Sequence, residues 1–566
     1  MAQRLWLAGV LAGCLAALPV FSARSGPQLS DEEKILHALN RLTFGPRPGE
    51  VAQVKSMGLK KWINLQLHPD RIPESPALEA RLAPLDTLRM SPEERVANYP
   101  PPQVVRAMVE GRVPFPQDPD KRMMIRRLAE RFEQTSGKGA DDQAKPELAA
   151  ILTVSERRTL RNAAPEEKVA WLRGLPLEKQ DQVLEAMPAG MRRALYPAAP
   201  PELRRKIEWV SGPLQVVAAD LQEAKLYRVL YSNRQLEQVL VDFWYNHFNV
   251  FLNKGADRYL VTSYERDAVR PHVLGKFYDL LLATAQSPAM LFYLDNWQSV
   301  DPNREVKLFL AGRTAGKSAR RGLNENYARE LMELHTLGAD GGYTQKDVTE
   351  VARCFTGWTI RNPRQGGSFF FNPRMHDPGA KVVLGVQIPA GGGIEDGLRV
   401  LEILAHHPAT ARHISYQLAQ RFAADNPPAS MVSRMSLTFL EKDGDLREVM
   451  KTMLAAPEFW APETFRAKSK SPLEMVASAV RALDADVDYG FALANQLAQL
   501  GEPLYRKQEP TGYSNAGQDW MNSAGLLARM NFALALARNQ VPGVRVDQAR
   551  FGDEGVHLGS PEFQRK

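Results

Sequence analysis

The chain has 566 residues, of which 44% are hydrophobic and 24% charged. This composition excludes a short disulfide scaffold, a fibrous repeat and a wholly disordered chain, and the length suffices for two to four domains at roughly 100–200 residues each. The 72 Lys and Arg residues exceed the 65 Asp and Glu residues by 7. Because the two signs alternate along most helical stretches, we expect no nucleic-acid partner.

The first 23 residues have the pattern of a secretory signal peptide. Arg4 precedes an apolar run over residues 5–21, and small residues follow it. Residues 11–14 also resemble a bacterial lipobox, so lipid anchoring through Cys14 is an alternative to ordinary signal cleavage. No later segment is apolar enough to span a membrane. We therefore expect an exported, periplasmic or extracellular protein, in which Cys354 is a buried thiol and not a nucleophile.

The remaining chain predicts a mainly α, multi-helical globular fold. Residues 31–69 have the apolar spacing of two short N-terminal helices, separated at residues 45–48. Residues 70–213 are a charged helical insertion in which Pro165, Pro176, Pro188 and Pro200 mark helix starts; a peptide-binding helical repeat is the alternative. Residues 214–540 form the helical core, and residues 541–566 form a loosely ordered tail.

One small β-hairpin or β-loop is expected around residues 368–388. Two β-prone runs, residues 369–371 and 381–384, flank a turn that contains His376 and Asp377. Loops carry functional groups to the rim of a site, so both residues are site candidates. Trp358 lies in the same aromatic-rich part of the chain, where an indole is either a platform for a sugar or part of the core.

Helical spacing divides residues 236–250 into an apolar seam and a polar stripe. His247 lies on the seam, where it is either a hydrogen-bonded core histidine or a histidine with a tuned pKa at a pocket wall. Asp242 lies on the polar stripe together with Asn246 and Asn249. At the next predicted helix junction, Glu265 and Asp267 either line a cleft or form ion pairs with neighbouring arginines.

The densest group of candidates follows Asn324, on a predicted helix that ends at Gly338. Glu330 and Glu333 share one helix face, and His335 follows them. Two carboxylates one turn apart suit acid–base catalysis, or they bind a divalent metal with a histidine from elsewhere, although the spacing matches no established metal signature. A ladder of ion pairs with Arg329 is the structural alternative.

Two cofactor motifs are matched only in part. A calcium loop over residues 336–347 would place Thr336 and Gly338 where carboxylates are required. Residues 311–318 satisfy a relaxed phosphate-loop pattern, but residues 320–322 interrupt the helix that such a loop should open. We therefore expect neither calcium nor a nucleotide.

Several segments together resemble the bacterial domain of unknown function 1800 family: residues 35–45, 242–250, 264–272, 287–296, 322–347, 356–358, 376–377 and 500–505. The resemblance covers nearly the whole chain after the signal segment. It implies a largely helical, exported protein, and a partner from the exported family of unknown function 1501, whose members are often encoded beside this family. It implies no established reaction.

Two hypotheses follow for the function. The first is an exported helical enzyme, a hydrolase for example, that acts on an extracytoplasmic polymer such as a glycan. Glu330 or Glu333 would be its base or metal ligand and His247 or His376 its acid, with the other candidates around them. The second is a non-catalytic helical scaffold or accessory subunit of the neighbouring exported enzyme.

Overall fold

We describe a computed structural model of the chain, which covers residues 28–136, 148–303, 322–551 and 555–566. Over these residues the protein is mainly α-helical, as the sequence predicts, and its strands form small two-stranded sheets. The expected signal peptide with Cys14 and the residues that resemble a phosphate loop, 311–318, lie outside the described residues.

Three helices, and not the two expected, form the N-terminal segment: α1 (Asp31–Leu42), α2 (Glu50–Met57) and α3 (Leu59–Gln66). The break at residues 45–48 is present. The additional break is at Gly58, whose φ of 90° ends α2 and precedes α3. Because this backbone conformation costs a glycine little, a single residue is enough to interrupt the periodicity.

Short helices make up most of the described part of residues 70–213. Pro165 is the first residue of its helix, and Pro176, Pro188 and Pro200 each directly precede one. Several of these helices enclose a hydrophobic cluster of their own, which includes Leu172 and Val183. The helices are α4 (Pro76–Leu82), α5 (Pro92–Asn98), α6 (Pro102–Val109), α7 (Pro119–Ser136), α8 (Leu148–Ile151), α9 (Val154–Asn162), α10 (Pro165–Arg173), α11 (Leu177–Ala186), α12 (Ala189–Arg193) and α13 (Pro201–Ser211).

The largest hydrophobic cluster joins the N-terminal helices to the helices after residue 213, and Trp244 and Trp358 are buried in it. Thr344 and Ser471 form the capping boxes that begin two of these later helices. The helices are α14 (Pro213–Tyr231), α15 (Gln235–His247), α16 (Asp257–Ser263), α17 (Phe277–Ala285), α18 (Pro288–Tyr293), α19 (Glu325–Glu333), α20 (Gln345–Cys354), α21 (Ile394–Ala405), α22 (Pro408–Phe422), α23 (Ala429–Glu441), α24 (Leu446–Ala455), α25 (Pro472–Ala482), α26 (Gly490–Gln499), α27 (Ser523–Ala537), α28 (Gln548–Phe551) and α29 (Gly555–Leu558).

The two β-prone runs around His376 do not pair with each other. The first run is strand β2 (Phe369–Phe371), which pairs with the preceding strand β1 (Trp358–Ile360). The second run is strand β3 (Lys381–Val383), which pairs with the following strand β4 (Val386–Ile388). Leu384 and Gly385 join β3 to β4 with φ values of 49° and 80°. Positive φ at both central residues is typical of the tightest hairpin turn, which makes this pairing local. A further pair, β5 (Asp486–Val487) with β6 (Val544–Arg545), lies near the C-terminal helices.

The described part of the expected loose tail packs on the core. The backbone of Lys566 exchanges two hydrogen bonds with Lys468, and its ammonium group pairs with Glu474. Among the described helices, none is both long and apolar enough to cross a bilayer.

Cys354 is buried in α20, and burial raises the pKa of its thiol to about 12. The thiolate is the reactive form, so we expect a Cys14→Ser chain to resist an aromatic disulfide reagent in the native state and to react after denaturation. Absorbance of the released thiol measures this. Rapid stoichiometric reaction of the native chain would contradict the burial of Cys354.

Candidate functional site

A narrow polar cleft lies between α14, α15, α22 and the segment of residues 502–520. Its volume is about 40 Å³, room for a few water-sized groups. Four charged side chains from distant parts of the chain line it: Lys225, Asp242, Arg421 and Glu502. Aromatic rings of Tyr505, Tyr513 and Trp520 complete the wall.

The polar stripe of α15 holds the loop that forms one side of this cleft. Asn246 donates to the Tyr513 carbonyl at 2.8 Å and accepts from the Tyr513 backbone N–H at 2.6 Å. Asn249 donates to the carbonyls of Lys507 and Glu509 at 3.0 and 2.8 Å. The two asparagines therefore fix the loop by satisfying its backbone groups, which leaves Asp242 as the charged member of the stripe.

Asp242 bridges two cations. Lys225 Nζ lies 2.7 Å from Asp242 Oδ1, and Arg421 Nη2 donates to Oδ2 at 3.3 Å. Arg421 also pairs with the buried Glu474 at 2.5 Å. Each charge has a partner of opposite sign, which offsets much of the cost of desolvating it.

Glu502 is the exception among these charges. Its carboxylate accepts a hydrogen bond from the Leu473 backbone N–H at 2.8 Å. In the part of the chain that the structure describes, it has no cation within ion-pair distance. Burial and the nearby negative charge of Asp242 raise the pKa of Glu502 to about 7. A carboxyl group with this pKa can both hold and release a proton near neutral pH.

Glu265 reaches the cleft through one intermediate residue. Tyr505 donates its hydroxyl proton to Glu265 Oε2 at 2.6 Å, and Arg270 donates to Oε1 at 3.0 Å. Burial alone would raise the pKa of Glu265, but the positive charges of Arg270, Lys225 and Arg228, with the hydrogen bond from Tyr505, lower that pKa to about 2. Glu265 therefore carries a fixed negative charge that orients Tyr505.

The raised pKa of Glu502 predicts a specific dependence of stability on pH. Between about pH 4.5 and 7 the folded chain keeps this proton while the unfolded chain releases it. The contribution of Glu502 to the free energy of unfolding therefore falls as pH rises through this range. We expect wild type to lose stability relative to Glu502→Gln across it, as measured by urea unfolding at several pH values. A constant difference between the two chains would contradict the raised pKa.

The predicted His247 lies on the other side of α15, in a group of three histidines. Its Nε2 donates to the His335 carbonyl at 3.1 Å, and its ring centroid lies 6.3 Å from that of His335 and 6.1 Å from that of His413. Burial lowers the pKa of His335 to about 3 and that of His247 well below its ordinary value. These rings are therefore neutral at physiological pH.

Glu330 and Glu333 lie on α19 and are not among the residues that line the cleft. α19 ends at Glu333, five residues before the expected end at Gly338, so His335 follows the helix in a turn. Burial and Glu333 raise the pKa of Glu330, and Tyr343 donates to Glu333 at 3.3 Å. Asp267 is exposed and pairs with Arg266 at 2.7 Å.

His376 and Asp377 belong to a buried ionic cluster beneath the β-hairpins. Lys381 Nζ donates to Asp396 Oδ2 at 2.6 Å and to the Asp377 carbonyl at 2.5 Å. His376 Nε2 lies 3.2 Å from the same Asp396 oxygen, and Arg353 donates to both Asp377 oxygens. Trp358 is buried beside this cluster, against Phe355 and Phe369.

The structure thus brings Asp242 to the cleft directly and Glu265 through Tyr505, and it places the other predicted residues in separate groups. Within the described ranges, no three His, Cys, Asp or Glu side chains converge as metal ligands. Reasoning from the sequence missed Lys225, Arg421, Glu502 and Tyr505. For the last two, a signal was present, because residues 500–505 are among the segments that carry the family resemblance.

No curated protein and no solved structure matches this chain. A family model described as "Protein of unknown function (DUF1800)" matches residues 37–561. The match includes the cleft, the histidine group and the buried ionic cluster, and it spans nearly the whole chain. The chain therefore belongs to the DUF1800 family.

Proposed function

We propose that this chain is an exported enzyme, a hydrolase, that uses Glu502 as a proton donor on an extracytoplasmic polymer. The observation that carries the proposal is that Glu502, a buried carboxyl group, lines the cleft beside the ion-paired Asp242 and forms no ion pair of its own among the described residues. Burial and the negative charge of Asp242 accordingly raise its pKa to about 7. General acids work best when their pKa lies near the working pH. The signal-peptide pattern of residues 1–23 supports export.

The surroundings of Glu502 favour a carbohydrate polymer as substrate. Enzymes that cleave a glycosidic bond commonly use two carboxyl groups, one protonated and one ionised, and here these would be Glu502 and Asp242. The rings of Tyr513 and Trp520 lie 5.7 Å apart at the cleft and offer apolar faces on which a sugar can stack. A cleft volume of about 40 Å³ has room for a small substituent of such a polymer, for example a hydroxyl or hydroxymethyl group.

A screen of the purified chain against peptidoglycan and soluble polysaccharides tests this proposal, with release of reducing ends or soluble fragments as the readout. Glu502→Gln keeps the shape of the side chain and removes its proton-donating function. Activity that is present in wild type and lost in this variant supports the proposal. Equal activity in both chains would overturn the assignment of Glu502.

The second candidate is the scaffold or accessory subunit. One observation favours it: α27 exposes the apolar side chains of Leu526, Leu527 and Met530, which are 39%, 60% and 49% accessible. Clustered apolar exposure is common at protein interfaces. The partner would be the neighbouring exported enzyme from the family of unknown function 1501. Co-purification that is lost in Leu527→Asp and retained in Glu502→Gln would favour the scaffold.

A further inference from the structure

A second cavity, separate from the cleft, lies where the 70–213 insertion meets the core. Its volume is about 180 Å³. Helices α13 and α14 form two of its walls, and the chain around α4 and residues 488–489 closes it. Part of the lining is apolar, from Ala80, Pro84, Leu85 and Pro201. A cavity of this size is smaller than a drug-sized site and suits a small molecule or one side chain.

Most charges in this cavity have partners. Arg205 lies 2.5 Å from Asp220 and also pairs with Asp86, while Arg204 lies 3.7 Å from Asp488. Arg204 additionally donates to the Asp488 carbonyl at 2.5 Å. These arginines are therefore held by the protein itself.

Two carboxyl groups in the cavity lack such partners. Glu208 is 7% exposed, and among the described residues no hydrogen bond or ion pair within 4.0 Å reaches its carboxyl group, although the side chain lines the cavity. Glu223 accepts one hydrogen bond, from the Phe491 backbone N–H at 3.1 Å. Burial, together with other acids nearby, raises the pKa of Glu208 well above its ordinary value and that of Glu223 to about 7. The positive charges of Arg204 and Arg205 oppose this increase, but neither arginine forms an ion pair with these two carboxyl groups. A buried carboxyl group without a cation either keeps its proton or binds a cation.

We infer that this cavity binds a primary ammonium group on a short aliphatic stem, with Glu208 and Glu223 as its counter-ions. The ammonium group replaces the missing cation, and the stem lies against Pro84, Leu85 and Pro201. A bare divalent ion fits less well, because the other two carboxylates of the cavity, Asp220 and Asp488, are paired with arginines. Among the described residues, no three ligands converge there.

Titration calorimetry of the whole chain with cadaverine, n-pentylamine and N-acetyl-lysine amide tests this inference. The neutral n-pentanol has a similar stem and controls for apolar binding alone. We expect saturable binding of an amine, no binding of the alcohol, and proton release on binding, because a cation favours the ionised carboxyl groups. Binding of cadaverine alone indicates a free polyamine as ligand, and binding of N-acetyl-lysine amide indicates a protein side chain.

Three variants locate the binding. Glu208→Gln and Glu223→Gln should each weaken amine binding about tenfold or more. Glu202→Gln removes an exposed carboxylate from the same helix, α13, and should leave binding unchanged. Thermal unfolding of each variant verifies that it is folded. The inference is overturned if no amine binds wild type, or if folded Glu208→Gln and Glu223→Gln bind it as tightly as wild type does.

Discussion

Replacing Asp396 with alanine is expected to destabilise the folded chain by about 3–5 kcal/mol. Asp396 is the counter-ion of Lys381, and the side chains of the two residues are 2% and 0% exposed. Without Asp396, the Lys381 ammonium group would be buried with only a backbone carbonyl as acceptor. Urea unfolding measures the change in the free energy of unfolding.

Glu402→Ala is the matched control for this prediction. Glu402 lies on the same helix, α21, and pairs with Arg399, but both side chains are about half exposed. Exposed pairs contribute at most about 1 kcal/mol. If Asp396→Ala lowers the free energy of unfolding no more than Glu402→Ala does, the buried ionic cluster does not stabilise the packing of the hairpins on the core. A double variant, Lys381→Met with Asp396→Leu, should recover part of the loss because it leaves no charge unpaired.

Replacing Glu502 with glutamine is expected to lower kcat/KM by about 10²–10⁴-fold on the substrate that the screen identifies. The amide occupies the same space and cannot donate the proton. The wild-type rate should fall as pH rises above about 7, since the carboxyl group is then ionised. Steady-state kinetics over a series of pH values measure both effects.

Glu509→Gln controls for a general effect of changing the same loop. Glu509 follows Glu502 in the segment that borders the cleft, is largely exposed, and pairs with Lys507. We expect its kinetics to match wild type. If both variants lose activity equally, or if the wild-type rate shows no decrease above about pH 7, Glu502 does not donate the proton.

The local features of the fold were predictable from the sequence because they depend on neighbouring residues. The capping boxes at Thr344 and Ser471 each join residues three apart, and the helix starts near the prolines follow from one residue each. The end of α19 was misplaced, since no residue near Glu333 interrupts the helical pattern. The pairing of the strands was left open between a hairpin and a β-loop for a related reason: β-propensity indicates a strand but does not identify its partner.

The cleft was largely beyond prediction because its charges are distant in the chain. Arg421 and Asp242 are 179 residues apart, and Tyr505 and Glu265 are 240 apart. Asp242 was found because it lies on a polar stripe of a helix with an apolar seam. Glu502 lies on no such stripe. Its raised pKa comes from burial and from Asp242, which only the tertiary structure brings close to it. His376 and Asp377 show the reverse. Their position in a turn made them site candidates, but both are buried in an ionic cluster.

An infrared titration of Glu502 tests the central claim most directly. Difference spectra between wild type and Glu502→Gln, recorded across the acidic and neutral range, isolate the protonated carboxyl band of this residue. We predict that the band persists through mildly acidic pH and disappears around pH 7. Loss of the band near the ordinary glutamate value of 4.5 would contradict the account, because Glu502 would then be ionised at neutral pH and have no proton to donate.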